Sequence, residues 1–377
     1  MLKTSWPLLH LHGTPFEQGR QQGRALRHQI VHNLNLYLTR FTHEVRLSRQ
    51  EVLRRAHFFA EVIRRRNPAY YAGMQGLAVG AGRSFDEIAA LNTRYEILYP
   101  QYSANARPLV DGCTAFAVPP ECSAEGRLII GQNWDWFLGV QGALLHTQEE
   151  DGLETLAFTE AGIFGGKIGL NSAGLGLVIN GLLSTDDDAS RPAKPFHVRC
   201  YEVLRQSSLE DALAIILDEE RACSANYLVA QAPDRAVNIE IAPHNQHVLQ
   251  CEGRCLVHTN HFLEPLTIGV TEPDERLFSN QRWRRFHTLL QEQTNVAVDD
   301  LQGWLSDHHG YPYAVCQHTD DGADHEQYVT VTSIILDLAQ QTMFVTNGAP
   351  CTAPYHELSL SALSRPSRRY LAAAPHT

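Results

Sequence analysis

Hydrophobic positions in the first hundred residues recur at helical spacing. Gly13-Thr-Pro-Phe-Glu-Gln-Gly19 opens a long helical segment toward Arg46, with Thr14 as its cap and Pro15 in the first turn, where a missing N–H costs nothing. Ser48-x-x-Glu51 is a capping-box pattern ahead of a stripe of Val52, Phe59 and Ile63. Asn67-Pro68 ends that helix and starts another. Ser84-x-x-Glu87 caps a further stretch, in which Ile88, Leu91, Tyr95 and Leu98 share one face. Residues 100–112 lose the period and read as exposed linker.

After Gly112 the period shortens to that of strands. Thr114–Val118, Leu128–Asp135, Ala143–Thr147, Thr155–Phe158, Ile168–Leu170 and Leu175–Asn180 read as short strands, with a turn at Asn171-Ser-Ala-Gly174. Helices are predicted at Phe196–Gln206 and Ser208–Leu217. Strands follow at Tyr227–Gln231, Val237–Ile241 and Cys255–Thr259. Two more helices, Arg276–Gln291 and Asp299–Asp307, precede a last strand pair, Tyr328–Leu338 and Thr342–Thr346. Helices first, then antiparallel strands with interleaved helices, predict an α+β protein with layered sheets. The end of the chain, from Ser364 onward, reads as a partly mobile tail.

Composition narrows the function. The 377 residues carry a net charge of −11 and 44% hydrophobic residues, enough for a large core. The acidic balance speaks against a nucleic-acid binder, which shows a basic stripe, and against docking on anionic lipid. No apolar run approaches the roughly 20 residues that cross a bilayer. The first ten residues are broken by Pro7 and too poor in apolar content for a signal peptide. The expectation is a cytoplasmic protein with no nucleic-acid or membrane partner. Eight spread-out cysteines are expected as reduced thiols. Only three lysines occur, Lys3, Lys167 and Lys194.

Several signatures are missing: a phosphate loop, a Gly-x-Ser-x-Gly elbow, a His-Glu-x-x-His helix and the third glycine after Gly174-Leu-Gly176. No cofactor is expected. Cys251-x-x-x-Cys255 has no matching second pair, and His318, Asp320, Asp321, Asp324 and His325 read as a solvated loop rather than a metal holder. No metal is expected either. Arg20, Arg94, Arg199 and Arg276 are open to two readings, anion binding or ordinary ion pairing.

The candidate with most chemistry is Asp111-Gly-Cys-Thr114. Cys113 sits where a polar linker becomes a strand, so its thiol can have both access and a base. Gly112 carries no side chain, which leaves its carbonyl open to attack by that thiol. Cleavage there would make Cys113 an N-terminus, whose amine, with an ordinary pKa of about 7.7–8, can act as base to its own thiol. The other reading of Cys113 is a small buried hydrophobe. Reflecting position 113 through the centre of a turn at 119–126 gives position 132, so Gln132-Asn-Trp-Asp-Trp136 is expected beside the thiol if the strands pair. Asn133 would then supply an amide and Asp135 a carboxylate, with Trp134 beside them. For Asp135 a turn role, and for Trp134 and Trp136 plain packing, remain open.

Asp111-Gly-Cys-Thr114 followed by Gly131-Gln-Asn-Trp-Asp135 resembles the acyl-coenzyme A:6-aminopenicillanic acid acyltransferase family, autoproteolytic cysteine N-terminal-nucleophile hydrolases. Gly13–Gly19, Glu160-Ala-Gly with Gly166-Lys-Ile-Gly-Leu-Asn-Ser-Ala-Gly-Leu-Gly176, Ser224-Ala-Asn226 and Thr259-Asn-His-Phe262 resemble further blocks of that family, in order. The resemblance implies a four-layer αββα sandwich across residues 1–377. It implies self-cleavage between Gly112 and Cys113, leaving an α chain of 1–112 and a β chain of 113–377 that stay associated. It implies Cys113 as nucleophile, Asp135 as supporting acid, Asn260 as oxyanion donor, and a small-molecule amide or acyl donor as substrate. Asn260 as a strand-end turn residue is the other reading. Ala115 stands where relatives often carry a hydroxyl, leaving Thr114 as the nearby one, and Gln317 stands where many carry arginine. Hydrolysis is favoured slightly over transfer, because the acidic chain shows no lysine cluster for coenzyme A phosphates. An unprocessed thiol hydrolase, or an inactive small-molecule binder, is the alternative.

Overall fold

The computed structural model describes residues 6–104, 112–218, 221–251, 254–319 and 328–364. Asp111, the loop positions Asp320 to His325, and the tail beyond Ser364 lie outside the described residues. The chain opens with β1 (Leu8–Leu11), then α1 (Pro15–Ala25), α2 (Arg27–His43), α3 (Arg49–Arg66), α4 (Pro68–Ala81), α5 (Phe85–Asn92) and α6 (Arg94–Ala104). Six strands follow: β2 (Thr114–Val118), β3 (Ile129–Phe137), β4 (Gly142–Gln148), β5 (Glu154–Glu160), β6 (Ile168–Asn171) and β7 (Leu175–Gly181). Then come α7 (Phe196–Val203), α8 (Leu209–Leu217), β8 (Ala225–Gln231), β9 (Arg235–Ile241), β10 (Gln246–Gln250) and β11 (Leu256–His258). The chain continues with α9 (Pro265–Ile268), α10 (Leu277–Gln291), α11 (Val298–Leu305), β12 (Tyr328–Asp337), β13 (Thr342–Val345), β14 (His356–Ser359) and α12 (Leu360–Leu363).

The predicted caps are in place. Thr14 and Ser84 make reciprocal boxes with Glu17 and Glu87, and Ser48 and Ser208 accept from the third helical N–H, each cap typically contributing about 1 kcal/mol. One long segment from Gly13 becomes two helices, parted at Leu26. Glycines let α1 and α4 touch backbone to backbone: a Cβ on Gly19 would strike Gly73 O, and one on Gly76 would strike Phe16 O.

The linker reading of residues 100–112 is overturned as far as Ala104. The helix α6 runs through Pro100, and Tyr99, Pro100, Tyr102 and Ser103 are buried. Proline removes one N–H and breaks one turn's bonding. Burial of Tyr95, Tyr99 and Tyr102, with Tyr102 donating to Glu44 Oε2 at 2.7 Å, outweighs that loss.

Two sheets make the middle of the molecule. Eight strands run in the order β1-β4-β5-β6-β7-β8-β9-β10, and six in the order β11-β2-β3-β12-β13-β14. The six-stranded sheet separates two cores by the alternation of its side chains. Ala115, Ala117, Ile130, Ile334 and Leu336 belong to the large core shared with the other sheet. Phe116, Val118, Ile129 and Ile335 belong to a smaller one completed by Phe286 and Leu290 of α10 and Leu301 and Leu305 of α11. Sheet meets sheet closely: a Cβ on Gly176 would press on Leu338 and Ile130, and Ile179 N donates to Gln132 Oε1 at 2.6 Å. The eight-stranded sheet carries helices in turn, α1 against β1 and α8 against β8. Gln22, Asn33 and Asn92 hydrogen-bond carbonyls at 141 and 161–163 and tie the helical layer to the β3–β4 and β5–β6 connections. The architecture is α+β with helix, sheet, sheet and helix in layers.

The β2–β3 hairpin pairs Thr114 with Asn133, Ala115 with Gln132 and Val118 with Ile129. This register lies two residues from the reflection through 119–126, since the connection spans 119–128. An even offset leaves every side chain on its expected face. One step beyond the ladder, Cys113 stands opposite Trp134 rather than Gln132.

Candidate active site

Cys113 ends the connection from α6 and sits just before β2, on the same face as Ala115 and Ala117. Its side chain therefore enters the space between the sheets, and it is 5% exposed. Its Sγ lies 3.8 Å from Asp135 O. Beside it is a cavity of about 20 Å³, room for about one water. Trp134, Trp136, Tyr95, Tyr99 and Phe196 form its aromatic walls. Tyr95 stacks on Tyr99 at 3.7 Å and on Phe196 at 4.3 Å.

The polar wall is a buried charge cluster. Glu160 accepts from Lys167 Nζ at 2.7 Å, from Arg94 and from the Tyr37 hydroxyl. Lys167 Nζ also lies 3.2 Å from the centre of the Trp134 ring, a desolvated cation–π contact. All of these groups are buried. Burial pushes the Glu160 carboxyl up, but the Arg94 and Lys167 charges outweigh it and hold it well below the carboxylate range. Burial also lowers Lys167, against the pull of Glu160, to about 8. One carboxylate cannot neutralise two buried cations, and guanidinium keeps its proton, so the ammonium yields. With both cations charged the cluster carries one surplus positive charge facing Cys113. Arg94 Nε and Nη1 are buried with no hydrogen-bond partner among the described residues.

The opposite face of β3 presents a second set. Asp135 is fully buried, and a Cβ on Gly112 would collide with Asp135 Oδ2 and Gln317 Oε1. A side chain there would have to displace the buried ends of Asp135 and Gln317. Gln317 is fixed by its N–H to Thr330 Oγ1 at 2.9 Å and by Nε2 to Tyr328 O at 3.3 Å. Asn133 does not join the thiol, as the hairpin reading expected. Its Nδ2 donates to Leu305 O and Val315 O, both at 2.8 Å, which anchors the outer layer. Thr114 is buried, and its Oγ1 has no hydrogen-bond partner among the described residues.

Asn260 follows β11. Its side-chain Nδ2 donates to Gly181 O at 3.1 Å, and Gly181 lines the Cys113 cavity. Arg282 Nη2 donates to Asn260 Oδ1 at 3.0 Å, Arg276 donates twice to its carbonyl, and its N–H donates to Ser279 Oγ at 2.7 Å. The side-chain amide is thus held at both its nitrogen and its oxygen, and the backbone at both its N–H and its carbonyl. The structure brings Cys113, Trp134 and the backbone of Asp135 together, with Gly112 between Asp135 and Gln317, and sets Asn260 one residue behind the cavity wall.

The sequence model for the acyl-coenzyme A:6-aminopenicillanic acid acyl-transferase family matches residues 122–351. The chain belongs to this acyltransferase family. That match spans Asp135, Glu160, Lys167 and Asn260; it begins nine residues after Cys113, and Tyr37 and Arg94 precede it. A family member from Emericella nidulans, the acyl-coenzyme A:6-aminopenicillanic-acid-acyltransferase 40 kDa form, is 28% identical over 350 residues, covering 91% of this chain and 93% of the relative. Among solved structures, a penicillin V acylase from Agrobacterium tumefaciens overlaps at TM-score 0.45 and 12% identity, over 66% of this chain and 86% of its own. The Caenorhabditis elegans N-acylethanolamine-hydrolyzing acid amidase ortholog overlaps at TM-score 0.43 and 15% identity, over 60% and 93%. Overlaps this distant add no weight to the family membership.

Lys167, Glu160, Arg282 and Tyr37 escaped the sequence reading. Lys167 and Glu160 lie inside the glycine-bearing blocks that carry the family resemblance, where no role attaches to them. The usable signal was the scarcity of lysine: one of three, placed among apolar residues, is a charge with a reason to be buried.

Proposed function

We propose that this acyltransferase-family protein is a self-processing cysteine amidohydrolase or acyltransferase for a small-molecule amide or acyl donor. The observation that carries this reading is the position of residues 112 and 113 across one sheet. The Gly112 α-carbon abuts Asp135 and Gln317, while the Cys113 side chain lines the cavity with Lys167 and Arg94.

In maturation the Cys113 thiol attacks the Gly112 carbonyl. The peptide C–N bond gives way to a thioester, its nitrogen takes a proton and becomes the Cys113 amine, and water hydrolyses the thioester. Two fragments of 112 and 265 residues result and stay associated. In turnover the amine takes the thiol proton and the sulfur adds to the substrate carbonyl. Asn260 Nδ2 then serves the oxyanion, a role worth about 2.7–4 kcal/mol in comparable sites. The amine returns its proton to the leaving group. Water then attacks the acyl-thioester, as hydrolysis requires; an acceptor amine in the same place gives transfer. Asp135 supports the newly made N-terminus, with Thr114 beside it. The surplus positive charge on Arg94 and Lys167 favours the sulfur as thiolate.

Denaturing electrophoresis and intact mass test the reading. Fragments of 112 and 265 residues are expected from the native protein, and an undivided chain from Cys113→Ala. A native protein that turns over an amide while staying undivided sinks the maturation step. Failure of Cys113 to take up any acyl group from a panel of activated esters sinks the catalytic one.

A further inference from the structure

Away from the Cys113 cavity, four side chains from two connections converge. His308 follows α11, Cys316 and His318 lie in the connection to β12, and Cys351 lies between β13 and β14. One potential ligand atom from each lies within 4.8 Å of the other three. His308 Nε2 is 3.1 Å from His318 Nε2, and Cys316 Sγ and Cys351 Sγ are each 3.4 Å from that same nitrogen.

Hydrogen bonds account for only part of this packing, among them one between the Cys316 and Cys351 side chains. An imidazole nitrogen has one in-plane site, filled by one proton or one lone pair. Three neighbours at hydrogen-bond distance from His318 Nε2 therefore compete for one site. A cation among the four atoms satisfies all of them. Tetrahedral bonds of about 2.05 Å to nitrogen and 2.3 Å to sulfur give edges of about 3.3 Å between nitrogens and 3.6 Å between nitrogen and sulfur. The three separations from His318 Nε2 are close to these, and the remaining ones lie within 4.8 Å.

We infer that His308, Cys316, His318 and Cys351 bind one zinc ion in a closed two-nitrogen, two-sulfur site. The donor set selects the metal. Thiolate and imidazole suit zinc, and the four atoms include no carboxylate oxygen for magnesium or calcium. Four protein ligands leave no open position, so the site is structural rather than catalytic. His308 is the exposed member and gives the ion a way in. Binding releases the two thiol protons. The ion clamps the β13–β14 turn to the stretch before β12. Gln317 stands between two ligands, so the clamp also fixes the residue that abuts Gly112. Gln317 is thus positioned by the site rather than part of it. The inference stands whether or not the chain is cleaved.

The full-length protein, purified under reducing conditions without a histidine tag, is loaded with zinc sulfate and desalted. Elemental analysis should find about one zinc per chain. Cobalt substitution should give the intense absorption of a tetrahedral thiolate site, and X-ray absorption should count two sulfur and two nitrogen neighbours. Cys351→Ser and His308→Ala should each lose the ion. Less than about one-tenth of an equivalent of zinc in the wild type overturns the inference. So does full retention in both variants, or a Cys316–Cys351 disulfide in the reduced preparation. The wild-type cobalt spectrum decides the matter even if a variant fails to fold.

Discussion

The two faces of the β2–β3 hairpin are built from opposite materials. The inner face carries charge in a dry place: Arg94, Glu160 and Lys167 against Trp134, with the Cys113 sulfur beside them. The outer face is an apolar layer of Phe116, Val118, Phe286 and Leu301. Near its edge Gln317 and Asp135 press on Gly112, and Asn133 bonds the carbonyls of Leu305 and Val315. Adjacent residues thus look into different chemistries. The lesson is one of division: in the mechanism proposed above, cutting the chain would depend on what surrounds Gly112, and turnover on what surrounds the Cys113 sulfur. Substitutions on one face should leave the other's reaction standing.

The sharpest break comes from the one atom that serves both faces. Cys113→Ala should abolish cleavage and acylation together, read as an undivided band and no mass gain with an activated ester. A serine there that supports cutting but not turnover would sharpen the division.

Next in size, Asn260→Ala should lower kcat about 10²–10³-fold, with KM little changed and the protein still divided. Equal loss of cleavage would place Asn260 in both reactions and blur the comparison.

Glu160→Gln should destabilise the fold by about 3–5 kcal/mol, read by chemical denaturation, because it leaves two buried cations facing each other. Adding Lys167→Met should restore part of that. A single variant within 0.5 kcal/mol of wild type, the usual span for surface changes, would show that the charges are not closed off from water.

On the outer face, Gln317→Ala should slow fragment formation about tenfold, or ~1.4 kcal/mol of barrier, while protein already divided turns over unchanged. A matching fall in turnover of divided protein would refute the separation of faces.

The smallest effect is on pH. The Lys167 value in the folded chain, about 8, lies below the ordinary 10.5. Burial of the protonated form is thus a cost present below about 8 and shed as pH rises toward 10.5, so this group makes the fold more stable across that window. Its support for an anionic sulfur runs the other way and is lost above about 8. Acylation rates should show a falling limb there that Lys167→Met removes.

Much of the fold was legible because local rules and tertiary structure agree. Helix starts at Thr14, Ser48, Ser84 and Ser208 were readable as side-chain caps. Thr114–Val118 was readable as a strand to the residue. The misses are of three kinds. The strands β1, β10 and β14 sit at sheet edges, and the last two are short and partly exposed, without an apolar run. Pro100 disguised a buried helix, since no local rule foresees three tyrosines outweighing a proline. The turn at 119–128 slipped by two because a loop's length does not fix where pairing starts. At the site, the motif around Cys113 was legible, but Lys167, Glu160 and Arg282 act only through partners far away in sequence. The link from Arg94 to Glu160 spans 66 residues. The convergence of His308, Cys316, His318 and Cys351 was hidden for the same reason.

Arg94 stands before residue 112, while Glu160 and Lys167 stand after it. Scission there would therefore raise the count of polypeptides without raising the count of particles. Parting them would strand an ionised glutamate and a guanidinium in oil-like surroundings, a step no dilution drives. Such a molecule would elute as one species from any native column and come apart only when it unfolds.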